Sequence, residues 1–206
     1  MKTKVFCIGL NKTGTTTLEK CGELLGLECA SCNRSHLEDV THQRGLQNIV
    51  NTVNEFDLFQ DWPYPLIYKE LDQLFPGSKF ILTTRINEIA WLDSLKRHSW
   101  RTHPTQHCRK LAYGFDYPFG FEKEHLQFYK SHNEAVRNYF SNREDDFIEL
   151  CWETGSGWGE LCEFLGMEVP EIPFPHMRKG NEQPIPVSYA VSNFGRICLQ
   201  RMRQIL

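Results

Sequence analysis

The segment from Val5 to Leu18 constrains the fold of this chain more than any other part of the sequence. It reads Val-Phe-Cys-Ile-Gly-Leu-Asn-Lys-Thr-Gly-Thr-Thr-Thr-Leu, an apolar run followed by a small-residue turn and the start of a helix. Where a strand enters a helix through such a turn, the free backbone N–H groups and the positive end of the helix dipole lie together. The segment therefore predicts a βα unit whose turn binds an anion such as phosphate.

The turn departs from the Walker A pattern of nucleoside triphosphate-binding proteins at one position. Gly9 and Gly14 have the Walker A spacing, but Thr15 stands where that pattern has its lysine. The basic residue of this turn is Lys12, two positions before Gly14. The turn can therefore hold a phosphate-like group, but it lacks the lysine that reaches the β- and γ-phosphates of ATP.

Predicted strands and helices alternate along the 206 residues. Such alternation favours right-handed parallel βαβ units in one domain, here residues 1–206. The predicted fold class is α/β, a three-layer α/β/α sandwich around a central, mainly parallel sheet of about five strands, like that of P-loop NTPases. Residues 101–122, rich in Pro, Gly, His and aromatic residues, are predicted to be loop. The predicted strands are 4–8, 27–30, 57–60, 79–84 and 146–151, and the predicted helices are 15–26, 37–54 with a break at Gly45, 66–75, 87–99, 123–140, 157–166 and 187–205.

Composition and hydropathy exclude several classes of protein. The formal net charge of -3 gives no reason to expect binding to nucleic acid or to an anionic membrane. No stretch approaches the roughly 18 apolar residues of a membrane-spanning helix. The apolar run near the N-terminus has only about five residues, which is too short for a signal peptide, so a cytoplasmic location is expected.

The eight cysteines include one Cys-x-x-Cys pair, Cys29 and Cys32. No second pair lies at the spacing of a zinc site, so neither a metal nor a redox role is expected for this pair. Most of the other cysteines lie in apolar or helical contexts, where the thiol acts as a small buried hydrophobic group.

The turn closely resembles a known nucleotide-binding loop. Lys12-Thr13-Gly14-Thr15-Thr16 is similar to the 5′-phosphosulfate loop of sulfotransferases that use 3′-phosphoadenosine 5′-phosphosulfate (PAPS). The resemblance implies that Lys12 contacts the sulfonate and the bridging oxygen and that the residues after it bind the 5′-phosphate. The expected donor-binding residues of this loop are Lys12, Thr13, Gly14, Thr15, Thr16 and Thr17.

A second segment carries the same resemblance. Phe80-Ile-Leu-Thr-Thr-Arg85 followed by Trp91-Leu-Asp-Ser94 resembles the part of these sulfotransferases that binds the 3′-phosphate. A guanidinium binds phosphate through two parallel hydrogen bonds, and a hydroxyl adds a neutral donor. The resemblance therefore assigns Arg85 and Ser94 to the 3′-phosphate. The interval between them is nine residues rather than the usual eight.

A third segment leaves two interpretations open. Arg178-Lys179-Gly180 resembles a triplet that closes on the 3′-phosphate in many cytosolic sulfotransferases. However, residues 158–166 and the preceding Pro-Phe-Pro-His resemble a bacterial-type branch in which this triplet is not a reliable feature. Arg178, Lys179 and Gly180 are therefore either donor-binding residues or part of a solvated loop.

The transfer also requires a base that accepts the proton of the acceptor. The family uses a histidine or a carboxylate after the strand that corresponds here to residues 57–60, and Asp61 lies at that position, beside Trp62. Partial burial would raise the pKa of this carboxyl and suit it to the role. The alternative is a turn-initiating aspartate before a proline. The other candidates for the base are His98, His103 and His107.

The resemblance implies transfer of a sulfuryl group from PAPS to a hydroxyl or amine of a small-molecule or glycan acceptor. Adenosine 3′,5′-bisphosphate is then the product, and no metal is required. The first alternative is a P-loop kinase or NTPase that acts on small molecules. The second is a non-catalytic nucleotide-binding protein of the same fold, whose C-terminal helix could form an oligomer surface.

Overall fold

A computed structural model describes residues 3–175 and 185–202 and shows a sheet of five strands. The strands lie in the order β2-β3-β1-β4-β5, and all four neighbouring pairs are parallel. The predicted α/β fold with a parallel sheet of about five strands is confirmed. The strands are β1 (Val5–Cys7), β2 (Cys29–Ala30), β3 (Leu58–Phe59), β4 (Lys79–Thr83) and β5 (Phe147–Leu150).

The helices follow the predicted alternation. The break predicted at Gly45 separates two helices, and Gly45 has a φ of +95°, which favours glycine. Short 3₁₀ helices at Tyr64–Leu66 and Trp152–Thr154 add turns beside β3 and β5. The helices of the described residues are α1 (Thr15–Leu24), α2 (Arg34–Thr41), α3 (Gln47–Glu55), α4 (Tyr68–Leu74), α5 (Glu88–Arg101), α6 (Arg109–Tyr113), α7 (Glu122–Tyr139), α8 (Trp158–Leu165) and α9 (Val187–Met202).

The prediction that 101–122 is loop throughout was wrong at α6. Residues Arg109–Tyr113 contain good helix formers, and Ala112 and Tyr113 are buried beneath the surface. Gly114 ends the helix at a φ of +82°. The Pro, Gly and His residues on either side of α6 give the region the composition of a loop. The short helix is nevertheless stabilised, because its apolar face is buried.

The helices cover both faces of the sheet. Successive residues of a strand point to opposite faces, so Phe6 belongs to one hydrophobic cluster, with α3, α4 and α7. Its neighbours Val5 and Cys7 belong to another cluster, with α1 and α8. Burial on both faces explains why the strands are apolar throughout. The two packed layers fix the positions of the loops that leave the sheet.

Three of these loops carry the residues singled out in the sequence. The Lys12 turn follows β1, Asp61 follows β3, and Arg85 follows β4. Because β1 lies between β3 and β4, and all strands are parallel, these loops leave the same edge side by side. Ligands of open parallel sheets bind beyond this carboxyl edge. The topology therefore brings the predicted site residues together.

The C-terminal helix α9 packs against the rest of the chain through one face. The Asn193 amide is buried and donates to the carbonyls of Trp100 and Thr102, while its oxygen accepts from the Tyr117 hydroxyl at 2.7 Å. The opposite face is exposed, so an oligomer surface there stays a prediction. None of the helices described between residues 3 and 202 combines the length and apolarity that a membrane crossing needs.

Candidate active site

The turn after β1 is braced from two sides. The Thr13 hydroxyl donates to the Leu10 carbonyl at 2.6 Å and lies 2.6 Å from the Thr83 hydroxyl of β4. On the other side, Trp91 donates from its indole nitrogen to the Asn11 carbonyl at 2.9 Å, and Tyr113 donates from its hydroxyl to the Asn11 side chain at 2.5 Å. These buried contacts hold the turn in one conformation before any ligand binds.

The turn passes into α1 through two residues in the left-handed region. Lys12 has a φ of +72° and Gly14, the N-cap of α1, a φ of +97°. A Cβ on Gly14 would lie 2.3 Å from the Trp152 ring, whose nitrogen donates to the Gly14 carbonyl at 3.2 Å. Only glycine fits here, because both the backbone conformation and the indole exclude a side chain.

The N-terminus of α1 has the features of an anion site. The amides of Thr17 and Leu18 donate to the Gly14 carbonyl, whereas those of Thr15 and Thr16 precede the first intrahelical acceptor. The helix dipole adds partial positive charge at this end. Thr16 is partly exposed, while Thr15 and Thr17 are buried. The Thr13 hydroxyl braces the turn, as described above, so the anion-binding groups expected here are backbone amides.

Arg85 lies beside this turn. Its guanidinium forms a paired contact with Glu153, with N···O distances of 2.8 and 2.5 Å, and its third nitrogen donates to the Lys12 carbonyl at 3.4 Å. The Arg85 amide donates to the Tyr129 hydroxyl at 3.1 Å. Although burial alone would raise the pKa of Glu153, its hydrogen bonds with Arg85 and Ile86 lower it. The arginine of β4 is thus fixed next to the lysine turn of β1.

Asp61 lies on the other side of the turn, after β3. It has a φ of +64°, and its carboxylate accepts a hydrogen bond from the Trp62 amide at 2.9 Å. Burial raises the pKa of Asp61 from 3.8 to about 6, and the Trp62 N–H and the charge of Lys12 oppose that rise. A carboxylate with this pKa is ionised at neutral pH and is more basic than an exposed aspartate.

Asp61 should therefore destabilise the fold near neutral pH. Its pKa is about 6 in the folded chain against an ordinary value of 3.8. Between about pH 4 and pH 6, Asp61 is therefore mostly protonated in the folded state and mostly ionised in the unfolded state. The contribution of Asp61 to the free energy of unfolding then falls as the pH rises. We expect Asp61→Asn to increase that free energy by about 3 kcal/mol at pH 7, measured by urea unfolding. No gain at pH 7, or the same gain at pH 4, would contradict this.

The chain as a whole matches a known protein family. A protein-family model described as a sulfotransferase domain matches residues 4–183. The chain belongs to the sulfotransferase family. A relative from Aspergillus versicolor, named Ava biosynthesis cluster protein M, is 26% identical over 213 residues, which cover 84% of this chain and 80% of that protein.

Two of the rival histidines of this sulfotransferase chain shape its 101–109 segment. His103 accepts hydrogen bonds from the amides of Thr105 and Gln106, at 3.2 and 3.1 Å. His107 accepts from the Arg109 amide at 3.2 Å, and burial lowers its pKa to about 4. An imidazole with that pKa is a poor base at neutral pH. His98 is a partly exposed residue of α5. Asp61 is therefore the better-placed candidate.

Of the other residues predicted to bind the 3′-phosphate, the structure describes only Ser94. Ser94 is half-buried on α5, three residues after Trp91, whose indole contacts the lysine turn. Residues three apart lie on the same side of a helix, so Ser94 is one turn further along this face. Its role with phosphate stays a prediction. Arg178, Lys179 and Gly180 lie outside the described residues, and their role also stays a prediction.

Two residues of the site were not predicted from the sequence. Trp152 covers Gly14 and Glu153 holds Arg85, and both belong to the short helix directly after β5. Their position offered a signal, because the ends of all the parallel strands meet at one edge of the sheet. A cavity of about 370 Å³ lies beside Arg85, and its lining includes the ion pairs Lys130–Glu88 and Arg137–Glu149.

Proposed function

We propose that this chain transfers the sulfuryl group of PAPS to a hydroxyl or amine of an acceptor and releases adenosine 3′,5′-bisphosphate. The observation that carries this proposal is the contact between the Arg85 guanidinium and the Lys12 carbonyl at 3.4 Å. It places the Arg85 guanidinium against the backbone of the Lys12 turn, so the two cationic residues, which follow neighbouring strands, belong to one site. PAPS carries anionic groups on both the 3′ and the 5′ positions of its ribose, so its binding site requires two cationic residues.

The residues present suit that donor. The amides of Thr15 and Thr16, the α1 dipole and Lys12 would hold the 5′-phosphosulfate. Arg85 would hold the 3′-phosphate, because a guanidinium has five N–H groups and its three hydrogen bonds here leave donors for a ligand. The cavity beside Arg85 offers room for part of the nucleoside.

Three residues of the chain have roles in the proposed reaction. When bound, PAPS supplies the sulfuryl group itself. Lys12 provides positive charge where negative charge accumulates on the departing phosphate oxygen. Asp61 accepts the proton of the attacking hydroxyl or amine, for which its raised pKa suits it. Trp152, whose indole nitrogen donates to the Gly14 carbonyl at 3.2 Å, helps to hold the turn in place.

The acceptor would approach from the Asp61 side of the turn. This side is formed by the segments after β2 and β3 and by residues 101–121. The name of the Aspergillus versicolor relative places that protein in a biosynthesis cluster, which favours a small molecule over a glycan as acceptor. A cytoplasmic location for this chain stays an expectation.

Arg85→Ala tests the donor assignment. We expect the wild-type chain to bind adenosine 3′,5′-bisphosphate in the absence of metal, measured by isothermal titration calorimetry. The variant should bind about 10- to 150-fold more weakly, because a hydrogen bond to a charged group is worth roughly 1.5–3 kcal/mol. At a nucleotide concentration of a hundred times Kd, the wild-type fold should gain about 2.7 kcal/mol, visible as a thermal shift.

Arg44→Ala is the matched control, because Arg44 is an exposed arginine with only a long 3.8 Å ion pair to Asp39. It should bind the nucleotide like the wild type. Unchanged affinity in Arg85→Ala would remove Arg85 from the site. A thermal shift with ATP and Mg²⁺ but none with adenosine 3′,5′-bisphosphate would favour the kinase alternative instead.

A further inference from the structure

Cys32 and Cys108 are in contact although 76 residues separate them in the chain. Their sulfur atoms are 3.6 Å apart, and both thiols are free. The motif partner of Cys32 points elsewhere, because the Cys29 thiol is directed to the carbonyls of Glu19 and Leu27. The two cysteines of the Cys-x-x-Cys motif are therefore not in contact with each other, and folding brings Cys32 to a cysteine of the 101–121 segment.

The two thiols lie where three segments of the site meet. The Asn33 amide donates to the Trp62 carbonyl at 3.0 Å, which ties the loop after β2 to the Asp61 turn. Arg34 donates to the His107 carbonyl at 3.1 Å, which ties the same loop to the residues before α6. Cys32 is exposed and Cys108 partly exposed, so a small oxidant or reductant can reach them.

We propose that Cys32 and Cys108 form a reversible disulfide that fastens residues 101–121 to the loop after β2. A disulfide bond is about 2.05 Å long, so the sulfur atoms need to approach by only roughly 1.5 Å from 3.6 Å. The bond would close the Asp61 side of the site. That this side receives the acceptor rests on the proposed function, whereas the disulfide itself does not.

Hydrogen peroxide can oxidise the two thiols to the disulfide in two steps. The hydrogen bond from Cys32 lowers the pKa of the Cys108 thiol, which favours Cys108 as the nucleophile. Its thiolate attacks one oxygen of hydrogen peroxide, and with uptake of a proton one water leaves and a sulfenic acid forms. The Cys32 sulfur then displaces the second water and forms the S–S bond. Two sulfurs are each oxidised by one electron, the peroxide is reduced by two, and a dithiol reverses the link.

The link should leave the donor site unchanged. Cys32 follows β2, at the outer edge of the sheet, whereas Arg85 follows β4, on the far side of β1. Closure would therefore act on the Asp61 side and on residues 101–121. The affinity for adenosine 3′,5′-bisphosphate should stay within about two-fold of that of the reduced chain.

The test compares the reduced chain with chain treated with hydrogen peroxide, followed by thiol blocking and non-reducing peptide mapping. We expect one intramolecular peptide pair joining Cys32 to Cys108, reversed by dithiothreitol. Closing a loop of this length should raise the Tm by on the order of 10 °C. Amide hydrogen exchange in residues 109–121 should become slower.

Cys32→Ser and Cys108→Ser should each abolish the link, and the matched control Cys29→Ser should retain it. A Cys29–Cys32 disulfide, a bond between two chains, or no bond would overturn the proposal. If the Cys32–Cys108 disulfide forms but amide hydrogen exchange in residues 109–121 does not become slower, the disulfide does not fasten residues 101–121. If the link forms but the nucleotide does not bind, the proposed function fails alone; if the nucleotide binds but no link forms, this inference fails alone.

Discussion

Lys12→Ala is expected to lower turnover by about 10²- to 10³-fold and to weaken the binding of adenosine 3′,5′-bisphosphate far less. The ammonium group acts mainly in the transition state, where charge builds on the departing oxygen. Nucleotide affinity would instead come from the Thr15 and Thr16 amides and from Arg85, which the substitution leaves in place. The rate of sulfate transfer from radiolabelled PAPS, with an acceptor found by screening, measures the first quantity, and calorimetry measures the second.

Lys20→Ala is the control for that variant. Lys20 lies further along α1, is exposed, and forms a 2.8 Å pair with Glu23. Its replacement also removes one positive charge but should leave turnover within about two-fold, since surface ion pairs contribute little. Equal turnover in Lys12→Ala and wild type would remove Lys12 from the mechanism. A large loss of nucleotide affinity with unchanged turnover would make Lys12 a binding residue only.

Asp61→Asn is expected to lower turnover by about 10²- to 10⁴-fold, because the amide cannot accept the acceptor's proton. In the wild type, turnover should fall as the pH drops through about 6, since the base must be ionised and burial raises its pKa to about that value. The variant should lose this inflection. The measurement is the pH profile of kcat for both chains.

The control is Asp93→Asn, a change to an exposed carboxylate of α5. It should keep both the rate and the inflection. Activity of Asp61→Asn near the wild-type level would assign the proton to another group, for which His98 is the next candidate. Together with the gain in stability expected for Asp61→Asn, the expected loss of turnover would describe a residue that serves catalysis at a cost to the fold.

Local patterns in the sequence predicted much of this architecture. The apolar run before Gly9 and the threonines after Gly14 specify β1, its turn and α1, because strand and helix periodicities differ there. The order of strands then places Asp61 and Arg85 at the same edge. The raised pKa of Asp61 and the paired contact of Arg85 with Glu153 depend on neighbours in space, so only the structure could give them.

The residues that sequence reasoning missed are defined by long-range contacts. Glu153 reaches Arg85 across 68 residues, and Cys32 reaches Cys108 across 76. Neither contact leaves a periodic or short-range signal in the chain. Such contacts follow from how β2, β4 and β5 are ordered in the sheet, and spacing alone does not reveal that order.

A crystal structure with adenosine 3′,5′-bisphosphate is the most direct test of this account. We expect the 5′-phosphate to accept hydrogen bonds from the Thr15 and Thr16 amides, with the Lys12 ammonium beside it. The 3′-phosphate should contact the Arg85 guanidinium. A nucleotide bound in another part of the chain, or one whose 5′-phosphate lies away from Lys12, would contradict the central claim.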